Sequence, residues 1–508
     1  MPERERALHI HIEKPATAKT ETIIFQAEKE RTRTLHKEAI INPLDILSYA
    51  KEYIKLNKDN YNFIKISSSR GDMPVLSASG SNPEDSSLTV VANSSGQLMN
   101  SDLYWLRHSD QESRELLLNN EIAMGLGMLA FTTEGDTLVV ASNNSEETHH
   151  WAGKIADSFE KIGIKLTQKV TTVDSVDNWM SQNLDPNKPY LPHVLTPELL
   201  DFFVHQKKIG DYKTETFDVA TLAHVAAYTK DGAQKIWEQD GVPTPKTHYL
   251  NKADTATSNI DNILKEISDY KEVVINPPDG SGGHDILFCT QNEVKDILSS
   301  DRYAGQYLQI QERLAIIESP CLIANIAADG SVEPLTVSKQ IFSKPGVHAG
   351  NMWHLGLPDE LKEFSPEFYK VNMQALKSLA DHGVRGQVNV DSLLLPDGTT
   401  LMREANIRPA GSSVINRIRQ GNINGKPIER ILTTTEIPID LDMLDSTKIH
   451  EYLNTFTDNL DNMRVVLYNY NINTKKASVA ICATSSAYEK ELLNVREQLM
   501  KQHQLVGN

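Results

Sequence analysis

The sequence predicts a multidomain chain that combines α/β and α+β units. Three observations lead there. Residues 112–170 alternate helix, strand and helix patterns, which suggests an α/β layer. Residues 240–310 alternate strand, helix and hairpin patterns, as a small α+β lid does. The chain has 508 residues, a length that accommodates about three domains.

In chain order, residues 1–65 mix strand-like alternation (Leu8, Ile10, Ile12) with a helix-like run from Asp45 to Leu56. Residues 67–100 are rich in Ser, Asn, Gly and Asp and read as loops around one strand, Leu88–Ala92. A helix over Glu112–Met124, a strand over Thr137–Ala141 and a helix over Glu147–Lys161 follow. Residues 183–215 carry Pro186, Pro189, Pro192 and Pro197 and read as a linker. Residues 216–240 have a helical pattern. Ser365-Pro366 marks a helix start, a Ser N-cap followed by Pro at the first position. Phe368, Val371, Ala375, Leu376 and Leu379 form that helix's buried stripe, and Gly383 stops it. Residues 384–415 read as a hairpin, 431–445 as a linker, and 446–508 as helix, two strands and helix. The domain boundaries expected are 1–200, 201–432 with the lid at about 240–310, and 445–508.

Bulk composition excludes more than it identifies. Acidic residues number 68 against 51 basic ones, for a net charge of −17. That argues against a broad nucleic-acid surface, which needs clustered Lys and Arg. The three cysteines, Cys289, Cys321 and Cys482, are too widely spaced for a disulfide framework or a zinc site. A reducing cytoplasm is the simplest home. The N-terminus is charged and lacks an apolar core, so no signal peptide is expected. No run of about 18 apolar residues predicts a membrane span.

The chemistry concentrates in residues 391–409, DSLLLPDGTTLMREANIRP. Pro396-Asp397-Gly398 is a turn sequence, because Pro presets φ and Gly tolerates positive φ. On the returning strand Glu404, Asn406 and Arg408 share one face, and Arg403, Ala405 and Ile407 share the other. Asp391, on the partner strand, comes within reach of Glu404. Two carboxylates and an amide oxygen suit Mg²⁺, which takes one or two carboxylates plus substrate phosphates. A neighbouring Arg suits a phosphoryl group. Taken alone, the stretch is equally an ordinary hairpin with a solvated charged face.

A second stretch, residues 271–290, reads KEVVINPPDGSGGHDILFCT. Two apolar runs, Val273–Ile275 and Ile286–Phe288, flank a Gly-rich connection and predict a hairpin. Its glycines let backbone N–H groups approach an anion. The connection is not a P-loop, since G-x-x-x-x-G-K-[ST] is absent from the sequence. It is not a Rossmann turn, because a strand follows.

Together, in this order, the two stretches resemble the ATP-grasp superfamily. Three further features agree. Residues 230–245 look like the family's lysine-bearing helix followed by G-V-P-x-P. Gln309 to Arg313, running on to Glu318, look like its interdomain hinge. Asp391, Glu404 and Asn406 stand where its metal ligands stand, and Arg408 where its catalytic Arg stands. The resemblance covers roughly residues 200–430. Gln340, Gly350-Asn351 and a preceding domain containing Gly135–Val140 look like the group with a pre-ATP-grasp domain. The tail from Val465 to Ala480 and its following helix look like the C-terminal domain of the pheganomycin-type peptide ligases.

The resemblance implies an ADP-forming ligase that joins a carboxylic acid to an amine, using ATP and Mg²⁺ or Mn²⁺. It implies that Lys230, Asn276, Gly280, Ser281, Gly282, Gly283, Gln311 and Glu312 contact ATP, and that Glu318 accepts from ribose hydroxyls. It also allows a homodimer. Substrate contacts fall on Gln340, His348, Asn351 and His354, and on Arg417 and Arg419; an ordinary structural role is the plain alternative for each. One position departs from the family, where the strand before the Gly-rich loop usually ends in Lys-Pro. Here Asn276 precedes Pro277. Either Lys339 or Lys344 compensates, or nucleotide binding is weaker. The same fold with another acceptor, or a nucleotide-binding protein without turnover, are the alternatives. His149-His150 and His9-x-His11 lack further ligands at metal spacing. Arg70-Gly-Asp and Gly125-Leu-Gly127 carry no mechanism.

Overall fold

The computed structural model describes residues 23–24, 87–93, 122, 124–185, 188, 190–193, 216–217, 230–251, 257–276, 286–299, 307–327, 329–344, 347–354, 364–384, 386–408, 413–438 and 461–504. The strand expected near Leu88 is Thr89–Val91 (β1). Thr137–Ala141 (β2), Val170–Val173 (β3) and Tyr190–Pro192 (β4) join it in a parallel sheet of order β3-β2-β1-β4. Val90, Leu138, Val139 and Val140 are fully buried, as strands covered on both faces require. Helix Ser145–Glu160 (α1) has Asn144 as N-cap, accepting from Glu147 N–H. It contributes Trp151, Ile155 and Phe159 to the core. Helix Val176–Asn183 (α2) is capped by Ser175 in the same way. The helix expected at 112–124 falls mostly outside the described residues, as does the run at 45–56.

Of the helical pattern expected over 216–240, the helix Lys230–Gln239 (α3) is present. It leads into a lid built from Thr247–Asn251 (β5), helix Thr257–Glu266 (α4), Glu272–Asn276 (β6), Leu287–Thr290 (β7), helix Gln291–Ser299 (α5) and Tyr307–Glu312 (β8). The lid sheet is antiparallel, in the order β5-β8-β6-β7. One face packs on α4 and α5 through Ile263, Ile267, Val273, Ile275, Val294 and Leu298. The expected hairpin is the β6–β7 pair, with Val274 opposite Phe288. Its Gly-rich tip lies outside the described residues.

The largest element is an eight-stranded sheet. It contains Pro320–Ile326 (β9), Val332–Lys344 (β10), Val347–His354 (β11), Gly386–Leu394 (β12), Thr400–Asn406 (β13), Arg430–Pro438 (β14), Met463–Asn471 (β15) and Lys476–Ala483 (β16). The order is β13-β12-β9-β10-β11-β14-β16-β15. Helix Pro366–Asp381 (α6) lies across one face, with Ser365 accepting from Phe368 N–H at 3.2 Å. All five residues of its expected stripe are buried. They pack on Leu322, Ala324, Val337, Val388, Val390 and Met402. Trp237 of α3 joins this core and donates to Ala375 C=O at 3.1 Å.

Residues 430–438 correct the sequence reading. They were expected within a linker but form β14, paired with β11 on one side and β16 on the other. The reason is visible in Ile431–Thr435, where β-branched residues and a leucine favour a pleated, buried strand. The tail's two expected strands, β15 and β16, thereby continue the large sheet. They also pack against α1: Trp151 stacks on Tyr470 with centroids 3.8 Å apart, and Leu467 N–H donates to Ser158 Oγ at 2.8 Å. Helix Glu489–Gln504 (α8) closes the chain, following the short helix Ser413–Ile418 (α7) in sequence.

β11 approaches β14 closely at Gly350, whose φ is +146°. A Cβ there would lie 2.0 Å from Thr433 O. Gly350→Ala is therefore expected to destabilise the fold by roughly 1–3 kcal/mol. Thermal or denaturant unfolding of the variant against the parent measures this.

Candidate active site

The face of the large sheet opposite α6 carries the site. Along β12, Val388 and Val390 face the α6 core, so Gln387, Asn389 and Asp391 face the other way. Asp391 stands directly opposite Glu404, and Asn389 opposite Asn406. On the other flank Asp391 stands opposite Cys321 of β9. The expected turn is present: Leu395 N–H donates to Thr399 C=O at 2.9 Å, and Gly398 adopts φ +87°.

Asp391 is crowded by negative charge. Burial and the Glu404 carboxylate push its carboxyl up to about 7, against the favourable effects of Arg403 and of hydrogen bonds from Cys321 and Gln340. Burial and the same two carboxylates hold the Cys321 thiol well above its usual range. Arg403 was expected on the far face. A register shift between Asp391 and Ser392 leaves Arg403 as an extra residue between the pairs Asp391–Glu404 and Ser392–Met402. That bulge lets its charge act on Asp391.

Gln340 and Asn351 are cross-strand partners on β10 and β11. Asn351 is buried, and its Nδ2 lies 3.0 Å from His348 Nε2, a contact in which the imidazole accepts. Burial pushes the His348 pKa down. The expected polar segment thus adjoins the two carboxylates. Arg408 lies two residues past β13 and is half-buried. Arg417 donates to Gln420 Oε1 at 2.7 Å, and Arg419 to Leu335 C=O at 3.1 Å, so both guanidinium groups have partners within this chain.

The nucleotide-side residues divide. Lys230 opens α3, and Gly280, Ser281, Gly282 and Gly283 lie outside the described residues. Asn276 is buried and donates to Gln309 Oε1 at 3.2 Å. Gln309 donates to Gln234 Oε1 at 2.8 Å. Gln311 donates to Gln234 Oε1 at 3.2 Å and to Thr247 Oγ1 at 2.8 Å. A chain of neutral amides therefore joins β6 and β8 to α3. Asn276 Oδ1 is buried with no partner among the described residues. Glu312 is exposed, at the end of β8. Glu318 receives Lys339, the lysine considered as a substitute for Asn276, with Nζ at 3.4 Å.

Sequence reasoning assigned no part in the site to Asn389, Cys321 or Gln234, and named Gln309 only within the hinge segment. Asn389 was legible, because Gln-Val-Asn-Val-Asp alternates polar and β-branched residues with period two. Cys321 required the β9–β12 register, and Gln234 required the packing of α3 on the lid.

A small antiparallel lid sheet and a larger antiparallel sheet thus flank the segment 313–319, with paired carboxylates on the larger one. An N5-carboxyaminoimidazole ribonucleotide synthetase in an ADP complex is 12% identical, with 82% of this chain and 97% of that chain covered and a TM-score of 0.49. An N5-carboxyaminoimidazole synthetase from Staphylococcus aureus, complexed with ADP, is 9% identical, with 82% and 98% covered and a TM-score of 0.48. A D-cycloserine synthetase is 13% identical, with 56% and 97% covered and a TM-score of 0.33. No protein-family model matches the chain, and no curated protein matches it in sequence.

Among the described residues no three His, Cys, Asp or Glu side chains are grouped to hold a metal. The pair Asp391–Glu404 and the neighbouring Asn406 offer two carboxylates and an amide oxygen, and the repulsion between Asp391 and Glu404 is what a divalent cation would relieve. The site therefore fits Mg²⁺. Among the described residues no helix is long and apolar enough to cross a membrane.

The raised Asp391 carboxyl carries a pH prediction. Its folded pKa lies above the unfolded value of about 3.9, so the folded state binds the proton more tightly. Stability is expected to fall as pH rises from about 4 to about 7 and to level off above. Melting temperatures measured across that range in a chelator should show the decline. Adding Mg²⁺ above pH 7 should reverse it, and Asp391→Asn should flatten it.

Proposed function

We propose that this chain is an ATP-dependent, ADP-forming ligase that activates a carboxylic acid as an acyl phosphate and couples it to an amine, forming a peptide or amide bond in small-peptide or natural-product biosynthesis. The observation that carries this reading is the cross-strand pair Asp391–Glu404, flanked by Asn389–Asn406 on one polar face. A carboxylate is a poor electrophile, and phosphorylating one of its oxygens gives a mixed anhydride whose phosphate is a good leaving group. A substrate carboxylate oxygen attacks the γ-phosphorus and ADP leaves. The amine nitrogen then attacks the carbonyl carbon, phosphate leaves, and the nitrogen loses a proton.

Phosphoryl transfer asks the protein for alignment and charge neutralisation. Asp391, Glu404 and Asn406 would hold Mg²⁺, which would neutralise charge on the β- and γ-phosphates. Arg408 would stabilise charge on the acyl phosphate and on the tetrahedral intermediate. Lys230, Asn276 and the Gly280–Gly283 loop would contact phosphates or adenine, with Gln311, Glu312 and Glu318 at the hinge. Binding of ribose by Glu318 requires Lys339 to share or release that carboxylate.

The test is a screen of amino acids and related acids, singly and in pairs, for ADP release with Mg²⁺. Hydroxylamine is added to trap acyl phosphate as hydroxamate. Hydroxamate formation without an amine acceptor separates activation from acceptor choice, and so covers the same fold with a thiol or other acceptor. A second reading, nucleotide binding without turnover, is favoured by the neutral Asn276–Gln309–Gln234 chain. It predicts ATP binding and no ADP with any acid.

A further inference from the structure

The polar face that carries Asp391 continues past the proposed metal ligands into a buried wall of carboxamides. Gln387 is 1% exposed, and neither its Oε1 nor its Nε2 has a hydrogen-bond partner among the described residues. Asn325 of β9 stands directly opposite Gln387, is 6% exposed, and has an unpartnered Oδ1. Leu322, Ala324 and Ile326 occupy the α6 face, so alternation puts Asn325 on the face of Gln387.

Helix α7 crosses this wall. Ser413 at its start receives Asn389 Nδ2 at 3.4 Å, over β12. Arg419, just past its end, reaches Leu335 C=O on β10 at 3.1 Å. The helix therefore spans β9, which lies between those strands. Asn416, three residues after Ser413 and on the same side of the helix, comes down over β9. It is 3% exposed, with Oδ1 and Nδ2 both unpartnered among the described residues. A cross-strand pair of buried amides and a third on the helix that crosses β9 thus keep polar atoms unspent.

Such groups are costly to bury unless something satisfies them. None is charged; Gln387 and Asn416 each leave a donor and an acceptor unpartnered among the described residues, and Asn325 an acceptor. The complementary chemistry is a neutral group with an N–H and a C=O of its own. We propose that Asn325, Gln387 and Asn416 bind an uncharged amide of the substrate, a peptide bond or a carboxamide, and thereby select amide-bearing substrates. This rests on the ligase reading for its meaning, since the wall adjoins Asn389 and Asp391 on the same strand. Its binding test is independent of turnover.

The full-length protein is titrated with N-acetylglycinamide, observed by saturation-transfer NMR, and with N-acetylglycinamide replaced by ethyl acetate as a probe lacking N–H. ATP binding by the wild type is measured separately. The expected result is a saturable signal for the amide that falls at least tenfold in Gln387→Leu and Asn416→Leu, with little signal for the ester. A group kept only for folding would lower the melting temperature when replaced. An unsatisfied one replaced by an apolar side chain of similar size should leave it level or raise it. If Gln387→Leu fails to fold, Gln387→Met and Asn325→Leu carry the same comparison. An absent amide signal in the wild type, or one unchanged in folded variants, overturns the proposal even if ATP binds. Amide binding without ATP binding would overturn the ligase reading and leave the site standing.

Discussion

Glu404→Gln is expected to reduce ADP formation by about 10²–10³-fold, the order seen when a group stabilising transition-state charge is lost. The substitution keeps size and hydrogen-bonding capacity and removes one charge. Glu404 faces Asp391 directly, and its carboxylate raises the Asp391 pKa. Removing it should therefore ease repulsion, and the melting temperature in a chelator should stay level or rise while turnover collapses. A general loss of fold would instead lower both. The measurement is paired: ADP release with saturating Mg²⁺, and thermal unfolding without it. Turnover at the parent rate would remove the metal-ligand role assigned to this pair.

Arg408→Ala is expected to spare ATP binding and cut ligation by about 10³-fold, near the lower end of what an arginine contributes to phosphoryl transfer. Arg408 is half-buried and lies past the end of β13, where its removal breaks no strand pairing. A guanidinium that acts on developing charge lowers kcat and kcat/KM together, whereas one used for uniform binding raises KM alone. Steady-state kinetics with ATP and acid varied separately distinguish the two, and Arg408→Lys should recover only a fraction because it lacks the bidentate fork.

The hairpin with Asp391, Glu404 and Asn406 was legible because turn chemistry and period-two alternation are local signals, and both survive in the fold. Helix α6 was legible for the same kind of reason: its cap, its first-turn proline and its stripe lie within one run of sequence. What failed depends on contacts distant in sequence. Residues 430–438 read as a linker because their partners, β11 and β16, are about 80 and 50 positions away. Arg403 was misplaced because alternation assumes no bulge, and a bulge is set by the partner strand. The pairing of Lys339 with Glu318 likewise emerged only from the register of β9 and β10.

β14 sits between the strands of the proposed catalytic region and the terminal hairpin. Its outer neighbour β16 covers it from Arg430 to Pro438. A chain cut short before Met463 would leave that ladder of N–H and C=O groups unpaired beside apolar Ile431 and Leu432. A bare edge of this kind recruits strands from other molecules. Removal of the last 46 residues is thus expected to give self-associating material on size-exclusion chromatography, with activity lost to aggregation before any chemical role of the tail can be read.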